Sequence, residues 1–143
     1  DIILGGQLNK KLLAKLIFED KLKLQKLNNI IHPLVRKNFE EFITLHANEI
    51  YIIQESALLF ETGFYKAYDV MITVISPVDI RMKRVIQRSG ITVAQFECIN
   101  SNQMDETQKA SKSAFVINNS DTDFLIPQVI NIHKALLKYT VNK

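Results

Sequence analysis

The hydrophobic residues of the first third of the chain recur at helical spacing. Leucines and isoleucines three and four positions apart predict one helix over residues 8–18 and a second over residues 24–32. Pro33 then breaks or restarts the helix, and the same spacing continues over residues 34–48. The sequence therefore predicts a helical N-terminal third.

Three short apolar runs follow, beginning at Ile50. They cover residues 50–53, 70–75 and 115–117 and are rich in β-branched residues. Continuous runs of this length are typical of strands that are buried on both faces of a parallel sheet. We therefore expect three strands.

Two helical patterns lie between the second and third apolar runs, and one more follows the third run. They cover residues 78–87 and 92–111, with a break at Gly90, and a closing helix covers residues 122–139. Strands that alternate with helices indicate an α/β fold with a parallel sheet.

The composition and charge limit the classes of protein to which this chain can belong. The chain has 143 residues, of which 47% are hydrophobic and 23% charged, as expected for one soluble globular domain. No apolar stretch approaches the roughly 18 residues that a membrane span needs. The net charge is only +3, and the lysines between Lys10 and Lys26 alternate with leucines, so we expect a solvated helix face and no nucleic-acid partner. The single cysteine, Cys98, suits a reducing cytoplasm.

Polar residues follow each apolar run, where ligands bind in open α/β sheets. The three sets are Glu55 and Glu61, then Arg81, Arg84 and Arg88, then Asn118, Asn119 and Ser120. Each set also has an ordinary structural explanation, because acids favour helix N-termini, arginines three and four apart can form a solvated face, and asparagines form turns. Together, arginines near strand ends that carry carboxylates and amides indicate a nucleotide phosphate site.

The glycines exclude two phosphate-binding motifs. The chain contains only Gly5, Gly6, Gly63 and Gly90, so neither a G-x-x-x-x-G-K-[ST] loop nor a G-x-G-x-x-G fingerprint occurs in these 143 residues.

Several stretches carry a family resemblance in their order and spacing. They are Ile31-His32-Pro33-Leu34-Val35-Arg36, Glu55-Ser56-Ala57-Leu58-Leu59-Phe60-Glu61-Thr62-Gly63-Phe64-Tyr65, Arg84-Val85-Ile86-Gln87-Arg88, Gln103, and Val116-Ile117-Asn118-Asn119. In combination they resemble the dephospho-CoA kinases. The resemblance runs nearly from end to end of the chain.

The resemblance implies a partial P-loop kinase-like fold. Its parallel sheet would have helices on both faces, with a helical substrate-binding part and a helical lid. The implied reaction transfers the γ-phosphoryl group of ATP to the ribose 3'-hydroxyl of dephospho-CoA, with Mg²⁺ as the metal. The partners would be these two small molecules, and no oligomeric state follows from the sequence.

The resemblance also divides the chain into four parts. Residues 1–49 would form the helical dephospho-CoA-binding part, and residues 50–76 the core strands with the acceptor-site turn. Residues 77–112 would form the basic lid region, and residues 113–143 the C-terminal core strand and helix.

Individual roles follow from the same resemblance. Two lid arginines would be catalytic, by neutralising charge on the phosphoryl group in flight: Arg84 and Arg88. The residues implied to bind dephospho-CoA are His32, Arg36, Leu59, Phe60 and Glu61. The residues implied to bind ATP are Gln103, Lys109, Asn118 and Asn119, and Glu55 is the implied Mg²⁺ ligand.

The chain departs from the family pattern in two ways. Many members have Asp-x-Pro where this chain has Glu55-Ser56-Ala57. The family's N-terminal strand, its P-loop and the strand that carries an Asp resembling a general base are absent from these residues. Because that first strand lies between the strands corresponding to residues 50–53 and 70–75, we expect a gap in the sheet. Two alternatives remain open, namely another P-loop nucleoside or nucleotide kinase and a non-catalytic binding module without the P-loop.

Overall fold

The computed structural model describes residues 2–9, 12–13, 16–17 and 20–141. The chain divides into two compact units, Asp1–Ile52 and Ile53–Lys143.

The first unit begins with a small hairpin that the sequence analysis did not predict. Strand β1, Ile3–Leu4, pairs antiparallel with β2, Gln7–Leu8. Gly5 and Gly6 form the turn with φ angles of 57° and 79°, a left-handed conformation that glycine adopts at no steric cost. The two-residue turn thus places Leu8 in a strand, so the predicted start of the first helix at that residue is wrong.

Asn9 separates the hairpin from helical residues. Its Oδ1 atom accepts the N–H of Leu12 at 3.1 Å, a side-chain cap for a helix start. Residues 12–13 and 16–17 are helical. The other positions of the helix predicted over residues 8–18, namely 10, 11, 14, 15 and 18, lie outside the described residues.

A long helix completes the first unit. Helix α1, Lys21–Leu45, begins at Asp20, whose Oδ1 accepts the N–H groups of Leu22 and Lys23 at 2.9 and 3.2 Å. Pro33 lies inside α1, so the predicted break or restart at this proline is wrong. Proline removes one hydrogen bond and crowds the preceding turn, but the helical turns on both sides carry the helix through.

The second unit contains the parallel pair that the sequence predicts. Strand β3, Ile72–Ile75, lies parallel to β4, Phe115–Asn118, with Ile72 opposite Phe115 and Ile75 opposite Asn118. The hydroxyl groups of Thr73 and Ser113 lie 2.6 Å apart, and Thr73 is buried. The predicted strands are therefore confirmed over residues 72–75 and 115–117, whereas residues 70 and 71 of the second run lie before the strand.

Helices connect and follow these strands. They are a 3-10 helix, Phe64–Ala67, and the α-helices α2, Val78–Ser89, α3, Val93–Ser101, α4, Glu106–Ser111, and α5, Leu125–Val141. Helix α4 packs against β3 and α5 packs against β4. The predicted break at Gly90 is confirmed, because this residue ends α2 with a φ of 64°.

The first predicted strand does not form. Residues 50–53 have no regular secondary structure, and Ile50 and Ile53 are 62% and 69% exposed. A strand exists only when a neighbour supplies its hydrogen bonds, and no described strand pairs with this run. The lack of a pairing strand among the described residues is the physical reason for the wrong prediction.

The core of the second unit is small. Its buried apolar side chains are those of Phe60, Phe96, Ile132 and Leu136. Among the residues that the structure describes, no side chain is less than 2% exposed. Within the same residues, no helix combines the length and the apolar character that crossing a membrane requires.

Candidate functional site

The carboxyl ends of β3 and β4 lie side by side. The N–H of Asn119, directly after β4, donates to the carbonyl oxygen of Ile75, the last residue of β3, at 2.8 Å. Ser76 follows β3 and is only 7% exposed, and its hydroxyl has no hydrogen-bond partner among the described residues. This edge is where ligands bind in open parallel sheets.

Arg84 of α2 reaches the loop that follows β4. Its Nη1 donates to the carbonyl oxygen and to Oδ1 of Asn119 at 2.9 and 3.2 Å. Its Nη2 donates to Oδ1 of Asp121 at 2.7 Å. The structure therefore brings together an arginine and an asparagine that the sequence analysis assigned to different roles.

The other two arginines of α2 have different surroundings. Arg81 pairs with Glu106 of α4 at 3.0 Å, and its buried Nε has no partner among the described residues. Arg88 is exposed near the end of α2. Of the three arginines, Arg84 is the one that donates hydrogen bonds to the loop after β4 in the described structure.

Glu61 and Lys109 form the best-shielded ion pair of the described residues. Glu61 lies in a turn over residues 57–63, in which the N–H of Thr62 donates to the carbonyl of Leu58 at 3.0 Å. Its Oε1 lies 2.8 Å from Nζ of Lys109 in α4, and the two side chains are 17% and 13% exposed. The N–H of Met104 donates to the same Oε1 at 2.7 Å.

The protonation state of Glu61 is set by opposing effects. Burial of the carboxylate acts to raise its pKa. The hydrogen bond from Lys109, the amides of Met104 and Glu61, and the charge of Lys109 outweigh burial, so the pKa lies below its ordinary value of 4.5. Glu61 is therefore ionised at neutral pH, and its Oε2 is buried without a partner in the described part of the chain.

The neighbours of Glu61 in the turn are apolar. Phe60 is buried, and its ring lies 5.1 Å from that of Tyr65, so Phe60 belongs to the core of the second unit. Leu59 is half-buried. The roles of Leu59 and Phe60 in binding an acceptor stay predictions.

The two remaining acceptor-side candidates lie in the first unit. His32 is half-buried and Arg36 is exposed, and both belong to α1. Because they are four residues apart in a helix, they share one face.

The remaining candidates are held mainly through their backbone. The backbone N–H and carbonyl of Asn118 both bond to the side chain of Gln128, at 2.9 and 3.0 Å. Gln103 is half-buried, and its N–H donates to the carbonyl of Asn100 at 3.1 Å.

Glu55 is exposed, and residues 2–9, 12–13, 16–17 and 20–141 contain no group of three or more His, Cys, Asp or Glu residues that could hold a metal ion. Mg²⁺ commonly takes one or two carboxylates and completes its coordination with water and substrate phosphates. The single carboxylate of Glu55 fits a role of that kind and does not fit a metal site made by protein alone.

Several contact residues were missed by sequence reasoning. They are Met104, Glu106, Asp121 and Gln128. Asp121 lies in a run of serine, aspartate and threonine beside the third apolar run, and that run was an available signal. Met104 contributes only its backbone N–H, which no side-chain pattern reveals.

Similarity to solved structures defines the class of protein. The chain superposes with a TM-score of 0.75 on the crystal structure of TT1252 from Thermus thermophilus, at 26% identity over 93% of this chain and 69% of the other. It superposes with a TM-score of 0.64 on a dephospho-CoA kinase from Campylobacter jejuni, at 21% identity over 96% of this chain and 70% of the other. With the parallel strands and the charged groups beyond them, these likenesses define a fold of the P-loop kinase class.

Sequence similarity identifies the family within this class. A family model described as dephospho-CoA kinase matches residues 2–123. Dephospho-CoA kinases from Bacteroides fragilis and Aquifex aeolicus are 33% and 35% identical over 92% and 93% of this chain. The chain belongs to the dephospho-CoA kinase family. It spans 64% of the length of the Bacteroides fragilis relative and 68% of the Aquifex aeolicus relative.

Proposed function

We propose that this protein transfers the γ-phosphoryl group of ATP to the ribose 3'-hydroxyl of dephospho-CoA, which gives coenzyme A. The observation that carries the proposal is family membership over residues 2–123. The polar groups collected beyond the ends of β3 and β4 support it, because this edge of the sheet suits a nucleotide phosphate site.

The residues described supply recognition and charge stabilisation. Phosphoryl transfer passes through a loose transition state with charge spread over the moving group, which guanidinium groups can neutralise. Arg84 and Arg88 of α2 take this role in the proposal. Arg84 would exchange its contact with Asp121 for the phosphoryl oxygens, whereas Arg88 is already exposed.

In this proposal, the phosphates of ATP would be bound by residues other than these 143. The chain contains only four glycines and no glycine-rich loop that ends in Lys-Ser or Lys-Thr. Backbone N–H groups of such a loop surround the phosphates in kinases of this class. The proposal therefore concerns the protein made from the complete open reading frame.

The same proposal assigns the residues that bind each substrate and the metal ion. In this proposal, Gln103, Asn118 and Asn119 would bind ATP. The residues that would bind dephospho-CoA are His32, Arg36, Leu59, Phe60 and Glu61. Glu55 would hold Mg²⁺ together with ATP oxygens and water. The metal would offset the charge of the β- and γ-phosphates. The cytoplasmic location expected from the single cysteine belongs to this proposal as well.

An acceptor screen tests the proposed function. The complete protein is incubated with ATP and Mg²⁺ and offered dephospho-CoA, a nucleoside or a nucleoside monophosphate. We expect product with dephospho-CoA and a far lower kcat/KM with the other acceptors. A preference for a nucleoside or its monophosphate would replace the proposal with another P-loop kinase activity.

The lack of a phosphate loop in these residues favours a second candidate, a non-catalytic binding module. The same experiment separates the two when calorimetry is added. Binding of dephospho-CoA by the complete protein without any phosphoryl transfer would support the binding module and contradict the kinase.

A further inference from the structure

Lys109, which the sequence resemblance implies to bind ATP, has an ammonium group that is already paired within the protein. Its Nζ lies 2.8 Å from Oε1 of Glu61 and 3.4 Å from the carbonyl oxygen of Ala57. Both partners belong to the turn that follows the first apolar run. The ammonium group is therefore directed to the acceptor-side turn in this structure.

Glu61 is held from two directions at one oxygen. Its Oε1 accepts from Lys109 and from the backbone N–H of Met104, which precedes α4. The contact with Met104 joins residues 43 positions apart in the chain. One carboxylate oxygen thus ties the turn at residues 57–63 to the segment that leads into α4.

We infer that Lys109 is a positioning residue, which fixes the carboxylate of Glu61 on the amide of Met104 and so holds the acceptor-side turn against the end of the lid. The inference rests on the proposed function for its kinetic consequences. The contacts among Lys109, Glu61 and Met104 do not depend on the proposed function.

Burial of the Glu61–Lys109 ion pair strengthens the attraction between the two charges. The two side chains are only 13% and 17% exposed, so solvent and salt screen their attraction less than at the surface. Lys109 is the only charged group among the described residues that contacts Glu61. Removal of Lys109 would leave a shielded carboxylate with the amide of Met104 but without its countercharge.

The second carboxylate oxygen of Glu61, Oε2, is available to a bound acceptor, so the orientation of the carboxylate affects acceptor binding. Oε2 is buried and receives no hydrogen bond within the described residues, and an unsatisfied buried acceptor is costly. A hydroxyl group of a bound acceptor could donate to it. A carboxylate that rotates or becomes protonated would lose that contact, so the residue that fixes it also affects use of the acceptor.

Kinetics of the complete protein test the functional part. We expect Lys109→Met to lower kcat/KM for dephospho-CoA by roughly 10- to 100-fold, the range for a lost hydrogen bond to a charged group, with the KM for ATP unchanged. Lys109→Arg keeps the charge and should restore most of the activity. The matched control is Lys138→Met, an exposed lysine of α5, which should behave as the parent.

A double variant tests whether Lys109 acts through Glu61. If it does, Lys109→Met combined with Glu61→Gln is no worse than Glu61→Gln alone. Independent, multiplying losses, or a Lys109→Met defect confined to the KM for ATP, would overturn the inference and support direct ATP binding.

A second readout does not depend on turnover. The backbone amide of Met104, followed by NMR as the pH falls, reports the titration of Glu61, and Glu61→Gln should abolish this response. In Lys109→Met the midpoint should move to higher pH, and Lys109→Arg should return it towards that of the parent. An unchanged midpoint in Lys109→Met would overturn the inference even if the kinase is active. A parent protein that does not phosphorylate dephospho-CoA would instead contradict the proposed function, and the NMR result would still decide the role of Lys109.

Discussion

Arg84 and Arg88 lie one helical turn apart in α2 but differ in their contacts. Arg84 donates to Asn119 and Asp121, whereas Arg88 is exposed. A change at Arg84 therefore removes a structural contact and a positive charge, while a change at Arg88 removes mainly the charge. A comparison of variants at the two positions therefore distinguishes the loss of a structural contact from the loss of a positive charge.

Replacement of either arginine by alanine should lower kcat more than it changes the affinity for dephospho-CoA. The loss of one group that stabilises transition-state charge typically costs roughly 100-fold or more in kcat. Steady-state kinetics of the complete protein measure this effect. Asp121→Asn is the matched control, because it weakens the Arg84 ion pair but keeps the guanidinium group. Parental turnover in both alanine variants would show that the lid assignment is wrong.

Glu61 makes stability depend on pH in a defined direction. The pKa of its carboxyl is below the ordinary value of 4.5 in the folded protein, so the ionised form stabilises the fold. This contribution is present above the unfolded pKa and is lost as the pH falls through the folded pKa. Urea unfolding of the complete protein between neutral and acidic pH should show a smaller loss of stability on acidification in Glu61→Gln than in the parent. An equal loss in both proteins would contradict the assignment.

The sequence suggested several candidate site residues but not their partners. Glu61 and Lys109 were both candidates, one assigned to dephospho-CoA and the other to ATP. Their direct contact depends on how α4 packs beside the turn at residues 57–63, and neither spacing nor residue type specifies that packing. The contact of Arg84 with Asp121 has the same origin, because it joins α2 to the loop after β4.

Element boundaries were predictable where local chemistry decides them. Gly90 ends α2 in a left-handed conformation, and Thr92 begins α3 with a capping box that includes Gln95. The run at residues 50–53 shows the opposite case. Its residue types favour a strand, but a strand also needs a neighbour, and the sequence of the run carries no information on whether one is present.

Gly90→Ala should destabilise the complete protein by about 1 kcal/mol. A Cβ at this position would meet nothing within 4 Å, so the cost arises from the φ of 64° and not from a clash. Gly90→Asn should cost less, because asparagine tolerates this conformation better. Urea unfolding of the three proteins measures the order, and an alanine variant as stable as the parent would contradict it.

At the scale of the whole molecule, the small core is the dominant feature. The second unit buries few apolar side chains, while large ones such as Ile126, Val129 and Ile130 of α5 are exposed. Apolar surface that stays in water contributes nothing to folding. Strand β3 also lacks a described neighbour on its side away from β4, although parallel strands are normally buried between neighbours.

A polypeptide restricted to these 143 residues should therefore be poorly stable. We expect a broad urea transition without a cooperative step, in contrast to a sharp transition for the protein from the complete open reading frame. Far-UV circular dichroism follows both. Cooperative unfolding of the 143-residue polypeptide would contradict the argument from the missing neighbour strand.

Our central proposal is that these residues form the acceptor and lid parts of a kinase, and that other residues of the complete protein would bind the phosphates of ATP. The most direct measurement is transfer of radiolabelled γ-phosphate from ATP to dephospho-CoA, compared between the complete protein and the 143-residue polypeptide. We expect labelled coenzyme A, phosphorylated at the ribose 3'-hydroxyl, from the complete protein only. Turnover by the 143-residue polypeptide, or no transfer by the complete protein, would contradict the claim.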